Sequence, residues 1–495
     1  SESKLDDDAK TGILLVTHGS RLNYNKEFAE LAKTSKSFNG LSTADMPAAR
    51  LNISPRLGFN WDVLKDRNLI VRGGTGVYTG RIPFVWIVSA AGNSNCLQAQ
   101  YIDTDGTNPM TPTFHDNIDD ILDDIYGGSF KAQDLAAPAS TTIMDKNLKM
   151  PTTWKSSLAV EGRLPGGIKA TLEGIYNKDL STVYVHKLGQ TQTDGGIQLP
   201  GEPQARPSWK SEGIKNSQNS TVTPYYITNT DVNGYYYSLT AMLQKDFNFG
   251  LSMMAAYTYS ASKSAAEGIG DQVSSAYNTM TYSSMGSNVA ELGHSAYVSP
   301  NRLIANISYR IDEGNFGATT LGLFYEGYNH CYVGSYSYTR YSYTMNNVTG
   351  DGGANNLIYI PTDKELESMT FADAANKEAF KAFLADDKYL SKHRGEYSER
   401  GGVVAPWQHR FNFKVAQDFN FNVAKKRNTI QVALDINNLG NLLNSNWGTL
   451  QQMSSDQILK YDTKTSTYTF TKPTWNSLTT LASTWEMLLS LRWFF

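Results

Sequence analysis

The chain has 495 residues, 40% hydrophobic and 12% aromatic, so it carries far too much apolar material to stay disordered. With 44 Lys and Arg against 47 Asp and Glu, it lacks the basic excess of a dedicated nucleic-acid binder. A mean hydropathy of -0.40 and no run of about 18 apolar residues exclude a membrane-spanning helical bundle.

Forty glycines and 29 tyrosines against 2 cysteines favour turn-rich β structure over a helical enzyme or a disulfide scaffold. Period-two alternation predicts strands at 12–23, 51–63, 69–79, 152–164, 168–186, 235–247, 251–262, 302–311 and 317–334. Three more follow at 407–421, 429–437 and 484–495, about twelve in all. In the stretch from Trp407 to Phe419, Phe411, Phe413 and Val415 alternate with Arg410, Asn412 and Lys414. At the end of the chain, Trp485, Met487, Leu489, Leu491, Trp493 and Phe495 share one face, with Glu486, Ser490 and Arg492 on the other.

The gaps alternate in length. Tight turns fall at 64–68, 165–167, 248–250, 312–316 and 420–428, and tens of residues separate the remaining neighbours. A soluble sandwich has no reason to place every long connection at one end. A transmembrane antiparallel β-barrel does, because short periplasmic turns and elaborated outer loops lie on opposite sides of the bilayer. This pattern puts the long connections outside and the short turns inside.

Several segments bear a family likeness: SPRLGFNWDV, LIVRGGTGVYTGRIPFVW, ATLEGIYNKDLSTVYV, APWQHRFNFKVAQDF and LDINNLGNLLNSNWG. They resemble the carboxyl-terminal barrel of TonB-dependent outer-membrane receptors, in particular the Oar-like branch of Bacteroidetes and myxobacteria. The likeness runs from about residue 12 to the end. It implies residence in the bacterial outer membrane and a 22-stranded barrel of which this chain supplies the carboxyl-terminal portion across 1–495, with the plug domain and amino-terminal strands elsewhere. Energised uptake or export would use substrate held by outer loops and plug. The implied partners are the rest of the receptor, the TonB complex, outer-membrane lipids and, in the SusC-like branch, a surface lipoprotein. Trp493 and Phe495 match the terminal aromatic signal of barrel assembly. The alternatives are a complete barrel of about twelve strands, closed by 12–23 against 484–495, and an adhesion or structural anchor without transport.

The densest substrate-facing candidates are Tyr328, Tyr332, Tyr336, Tyr338, Tyr341 and Tyr343, whose rings and hydroxyls suit stacking and hydrogen bonding, or an interfacial girdle. Arg56, Arg72, Arg163, Arg310, Arg410, Glu486 and Arg492, with Glu173, Arg302 and Asp435, fall on the charged faces expected to line a lumen or meet a plug. Asp103, Asp105 and Asp351 are weak calcium candidates without a full ligand loop. Aspartates between 116 and 124 suggest an amphipathic loop helix, and a second is expected over 363–390. The seven histidines have no metal-ligand spacing, and no nucleophile–base–acid arrangement is visible, so neither catalysis nor a cofactor is expected. GGTGVYTG lacks the Lys-Ser/Thr ending of a phosphate loop and reads as sheet curvature. Cys96 and Cys331 leave a loop disulfide and two separate thiols both open.

Overall fold

A computed structural model describes residues 24–96, 136–267, 272–278, 282–424 and 426–495. The expected strand at 12–23, the aspartate-rich helix near 120, Asp103 and Asp105 lie outside these described residues. Eleven long strands form one antiparallel meander: β1 Arg56–Asp62, β2 Leu69–Thr79, β3 Thr152–Leu164, β4 Ile168–Lys187, β5 Tyr235–Asp246 and β6 Leu251–Ser264, then β7 Asn301–Asp312, β8 Gly317–Asn329, β9 Trp407–Val423, β10 Lys426–Asn437 and β11 Glu486–Phe494. Each pairs with its neighbours in sequence order, so the wall needs no crossover. Among the described residues β1 pairs only with β2 and β11 only with β10, which leaves the sheet open at both edges.

The register explains the alternation. Opposed residues share a face, and the set Phe59–Gly73–Leu158–Gly174–Leu239–Tyr259 crosses six strands on one side. On the same side, Met253 faces Ile307, Ile307 faces Leu323, and Leu323 faces Phe413. Leu158, Leu172, Leu239, Leu243, Leu489 and Leu491 on this face are 52–74% exposed. No soluble protein leaves so continuous an apolar band against water; lipid is the solvent that suits it.

Tight turns join the strands at one end. Gly166 and Gly167 have φ 77° and 75° between β3 and β4, and Asp62 accepts from Arg67 N at 3.0 Å between β1 and β2. Gly317 opens β8 at φ 155°, where a Cβ would collide with the Asp418 carbonyl. In β2, Gly73 lies directly opposite Phe59, and a Cβ there would stand 2.9 Å from the Phe59 ring and 2.8 Å from Ser157 O. The glycine-rich GGTGVYTG stretch is therefore a close-packed strand, as its sequence suggests.

At the other end the long connections fold together into a second body. Distant loops pair in parallel: Thr142–Met144 with Tyr225–Ile227, Tyr332 and Val333 with Gln452 and Met453, and Thr344 and Met345 with Gln457 and Leu459. Its largest apolar core joins Leu199, Met345, Ile358, Phe380, Leu384, Met453, Leu459 and Tyr468 from three loops. The helix expected over 363–390 resolves into α1 Asp363–Glu367 and α2 Ala374–Asp386. Thr362 and Glu365 close a reciprocal capping box on α1, and Asp373 caps α2. Phe380 and Leu384 of α2 are fully buried in that core.

Several features depart from the sequence expectations, and β9 and β10 run to Val423 and from Lys426 into the turn expected at 420–428. The strand expected over 317–334 leaves the wall at Asn329, and Cys331–Val333 instead forms a hairpin with Tyr336–Tyr338. The strand expected over 51–63, the first wall strand among the described residues, begins at Arg56. On β11, Leu488 and Phe494 lie on the charged side, opposite Asp435 and Thr429, so its inner face is not uniformly polar. Nothing in the structure explains Leu488 there. Cys96 and Cys331 are both buried free thiols, with no bond between them.

Candidate functional site

Aromatic residues mark both margins of the apolar band. Near the tight turns, Phe316 packs edge-on against Phe419 at 5.5 Å and Phe249 against Tyr309 at 6.5 Å. Near the loops, Trp154 meets Tyr176 at 6.0 Å, Tyr237 meets Tyr259 at 6.2 Å, and Tyr325 meets Phe411 at 4.8 Å. Phe411 and Phe421 are ten residues apart on β9, roughly 33 Å along a strand at about 3.3 Å per residue. Tilted by about 40°, that run spans roughly 25 Å of bilayer, the height of an outer-membrane apolar band.

The opposite face carries charge. Arg72 pairs with Glu161 at 2.7 Å and with Glu173 at 3.2 Å, so one guanidinium ties β2, β3 and β4. Arg302–Glu326 at 2.6 Å, Arg310–Asp418 at 3.3 Å and Lys414–Asp435 at 2.9 Å continue the ladder across β7 to β10. Gln431 donates to Asp418 at 2.8 Å, and Arg492 donates to Gln431 at 3.4 Å. Arg56 sits 4.5 Å above the Tyr78 ring. Arg410 donates to the Ala482 carbonyl, linking the wall to the last loop, and Glu486 stands on this face opposite Asn437. The register thus places every sequence-selected charged residue on one face.

Arg163 directly opposes Lys169 near the tight turns, and no carboxylate among the described residues forms an ion pair with either. They line a concavity of about 510 Å³ with Arg67, Arg72, Glu161 and Glu173. Like charges face to face destabilise a sheet unless something anionic approaches them.

The tyrosines divide. Tyr341 and Tyr343 are packed into the loop core, and the Tyr343 hydroxyl donates to Asp387 at 2.7 Å, so their surfaces serve the fold. Tyr328 is the penultimate residue of β8, opposite Arg302, and Tyr332 sits in the following hairpin beside His330 at 5.5 Å. Tyr336 is 60% exposed, while the Tyr338 ring lies tilted against that of Tyr297 at 6.0 Å. Asp351 is fully buried and serves as a turn organiser: its carboxylate accepts from Asn347 Nδ2 at 2.7 Å and from Gly353 N at 3.0 Å. Among the described residues, no group of three His, Cys, Asp or Glu side chains could hold a metal.

A cavity of about 30 Å³, which no local sequence pattern announces, lies where three loops meet. Glu267, Tyr282 and Tyr297 come from the β6–β7 connection, Tyr338, Arg340 and Arg400 from the β8–β9 connection, and Asp456 from the β10–β11 connection. Arg400 and Arg340 are 4% and 8% exposed, and burial holds both guanidinium pKa values below their usual range. Burial raises the Glu267 carboxyl and pushes that of Asp456 up to about 6. Beside the cavity, burial and the charge of Arg340 bring His294 down to about 4.

Residues 6–469 match the family model of the outer membrane beta barrel domain. The chain belongs to that family. It is a β-barrel domain of the bacterial outer membrane. One similar solved structure is the outer membrane transporter YddB from Escherichia coli, with a TM-score of 0.42 and 9% identity over 90% of this chain and 41% of that one. The barrel domain thus spans less than half the length of that transporter. No curated protein matches it.

Proposed function

We propose that this barrel domain is the carboxyl-terminal part of a TonB-dependent outer-membrane receptor that moves a substrate bound at its outer loops, with no catalytic role. The observation that carries the reading is the pair of open edges, on β1 and β11 among the described residues, of a wall whose outer face is lipid-like. Unpaired backbone N–H and C=O groups in hydrocarbon cost several kcal/mol each, so further strands must close the cylinder. The opposed Arg163 and Lys169 support a second body inside it, a plug whose carboxylates would relieve their repulsion. The resemblance of the RGGTGVYTGRIPFVW and NNLGNLLNSNWG blocks supplies the TonB class. Outer-loop binding fits the organised body at the loop end, and a surface lipoprotein would dock there.

The test uses the full-length gene product from its own outer membrane. It should retain the periplasmic domain of TonB in a pull-down, and a photo-crosslinker at position 169 should join the wall to a plug segment. Failure of both, together with a native mass equal to a complete twelve-stranded barrel, would establish the anchor instead.

A further inference from the structure

Arg340 and Arg400 are buried where charges ordinarily sit against carboxylates. Neither does so: among the described residues, no carboxylate oxygen lies within the 4.0 Å ion-pair distance of either. Arg400 instead donates to the carbonyls of Ala265, at 3.0 Å, and Ser264, and its Nε has no hydrogen-bond partner. Arg340 donates to Gly401 O at 3.2 Å. A guanidinium offers five donors, so both retain capacity beyond these neutral carbonyls. Glu267, whose charge acts on Arg400 from beyond ion-pair distance, accepts from the Ser264 and Ser295 hydroxyls at 3.4 Å.

The space between them, about 30 Å³, holds two water-sized groups, the size of the two oxygens of a carboxylate. Tyr297 lines it and is 44% exposed, so its ring stands at the mouth, with Tyr338 packed behind it. A ligand larger than its anionic head would rest on these rings while the head enters.

We propose that this three-loop cavity is a receptor site for the carboxylate end of an organic ligand, held by Arg340 and Arg400. The site goes beyond the transport reading, since binding here holds whether the barrel transports or anchors. Recognition by two guanidiniums favours a planar, two-oxygen group over a spherical ion. Asp456 opposes the ligand when ionised, so binding tightens as that carboxyl takes up its proton. The groups facing it across the cavity are Tyr282, Tyr338, Arg340, Arg400 and Glu267.

The full-length protein in detergent is titrated calorimetrically with N-acetyl-dialanine, its carboxamide, dialanine amide and inorganic phosphate. The free carboxylate should bind, the carboxamide and the amine at least tenfold more weakly, and phosphate less well than the carboxylate. Arg340→Gln should weaken carboxylate binding at least tenfold and Arg340→Lys less, both with wild-type gel mobility before and after heating. Affinity should rise severalfold from pH 7.5 to pH 5.5, and Asp456→Asn should flatten that rise. Equal binding of acid and carboxamide, stronger binding of phosphate, or a folded Arg340→Gln protein with unchanged affinity would overturn the proposal.

Discussion

Ile307 and Asn306 are adjacent on β7 and should respond oppositely to the same charge. β7 runs from Asn301 at the loop end to Asp312 at the turn end, so both residues lie half-way through the wall. Ile307 opposes Met253 and Leu323 and is 41% exposed on the apolar face, whereas Asn306 opposes Met254 and Phe324 on the face of the ion-pair ladder. An arginine against the bilayer midplane of an outer-membrane barrel costs about 2–4 kcal/mol. Ile307→Arg should therefore shift the folding equilibrium by roughly 30- to 700-fold, at about 1.4 kcal/mol per tenfold. Asn306→Arg should change it little, because the lumen is wet and already holds cations. The assay is urea unfolding of the full-length protein from lipid vesicles, followed by tryptophan fluorescence. Equal costs at the two positions, or a larger one at Asn306, would refute the assignment of faces.

Phe380→Ala should cost about 3–5 kcal/mol in the loop body, seen as faster proteolysis of the loops, while the heat-modifiable barrel band persists. Gly317→Ala should slow barrel assembly sharply, because φ 155° and the Asp418 carbonyl leave no room for a methyl group; accumulation of unassembled protein in pulse-chase reads this out. Asp456 has its carboxyl raised to about 6, so the folded state binds the proton more tightly than the unfolded chain. Its contribution to loop-body stability is full below the ordinary carboxylate range and is lost as pH rises through about 6. The loss is at most about 3 kcal/mol, and Asp456→Asn should remove it from loop proteolysis measured between pH 4.5 and 7.5. Burial pushes the Cys331 thiol up to about 12, so a bulky maleimide should leave it unlabelled until the protein unfolds, and reductant should not change its mobility.

The wall was legible because lipid imposes the same period on every strand. Phe411, Phe413 and Val415 face outward for the same reason as Leu489 and Leu491, and the turn glycines at 166 and 167 sit where the sequence breaks the alternation. The charged positions came with it, since fixing one face fixes the other: Arg72, Arg310 and Arg492 needed no further signal. The loop body was largely hidden. Its strands are two to six residues long, and Val333 meets Met453 across 120 positions, so no local pattern announces the pairing. Within it, only the helical period of Leu366, Phe371, Ala374, Phe380 and Phe383 was readable, and all but Phe371 fall in the two helices. The tyrosine cluster misled because composition does not separate a ring that packs, such as Tyr343, from one that faces water, such as Tyr336. The two-arginine cavity was invisible because Arg340, Arg400 and Glu267 meet only after three loops converge.

The most direct test of the lipid-facing wall is nitroxide scanning along β7 from residue 303 to 309, with the full-length protein in vesicles and accessibility to oxygen and to a water-soluble nickel chelate measured at each position. Oxygen accessibility should peak at Leu303, Ala305, Ile307 and Tyr309 and fall at Ile304, Asn306 and Ser308, with the chelate excluded from the odd set. Chelate contact at the odd positions, or burial of both sets from both reagents, would contradict a membrane-spanning wall.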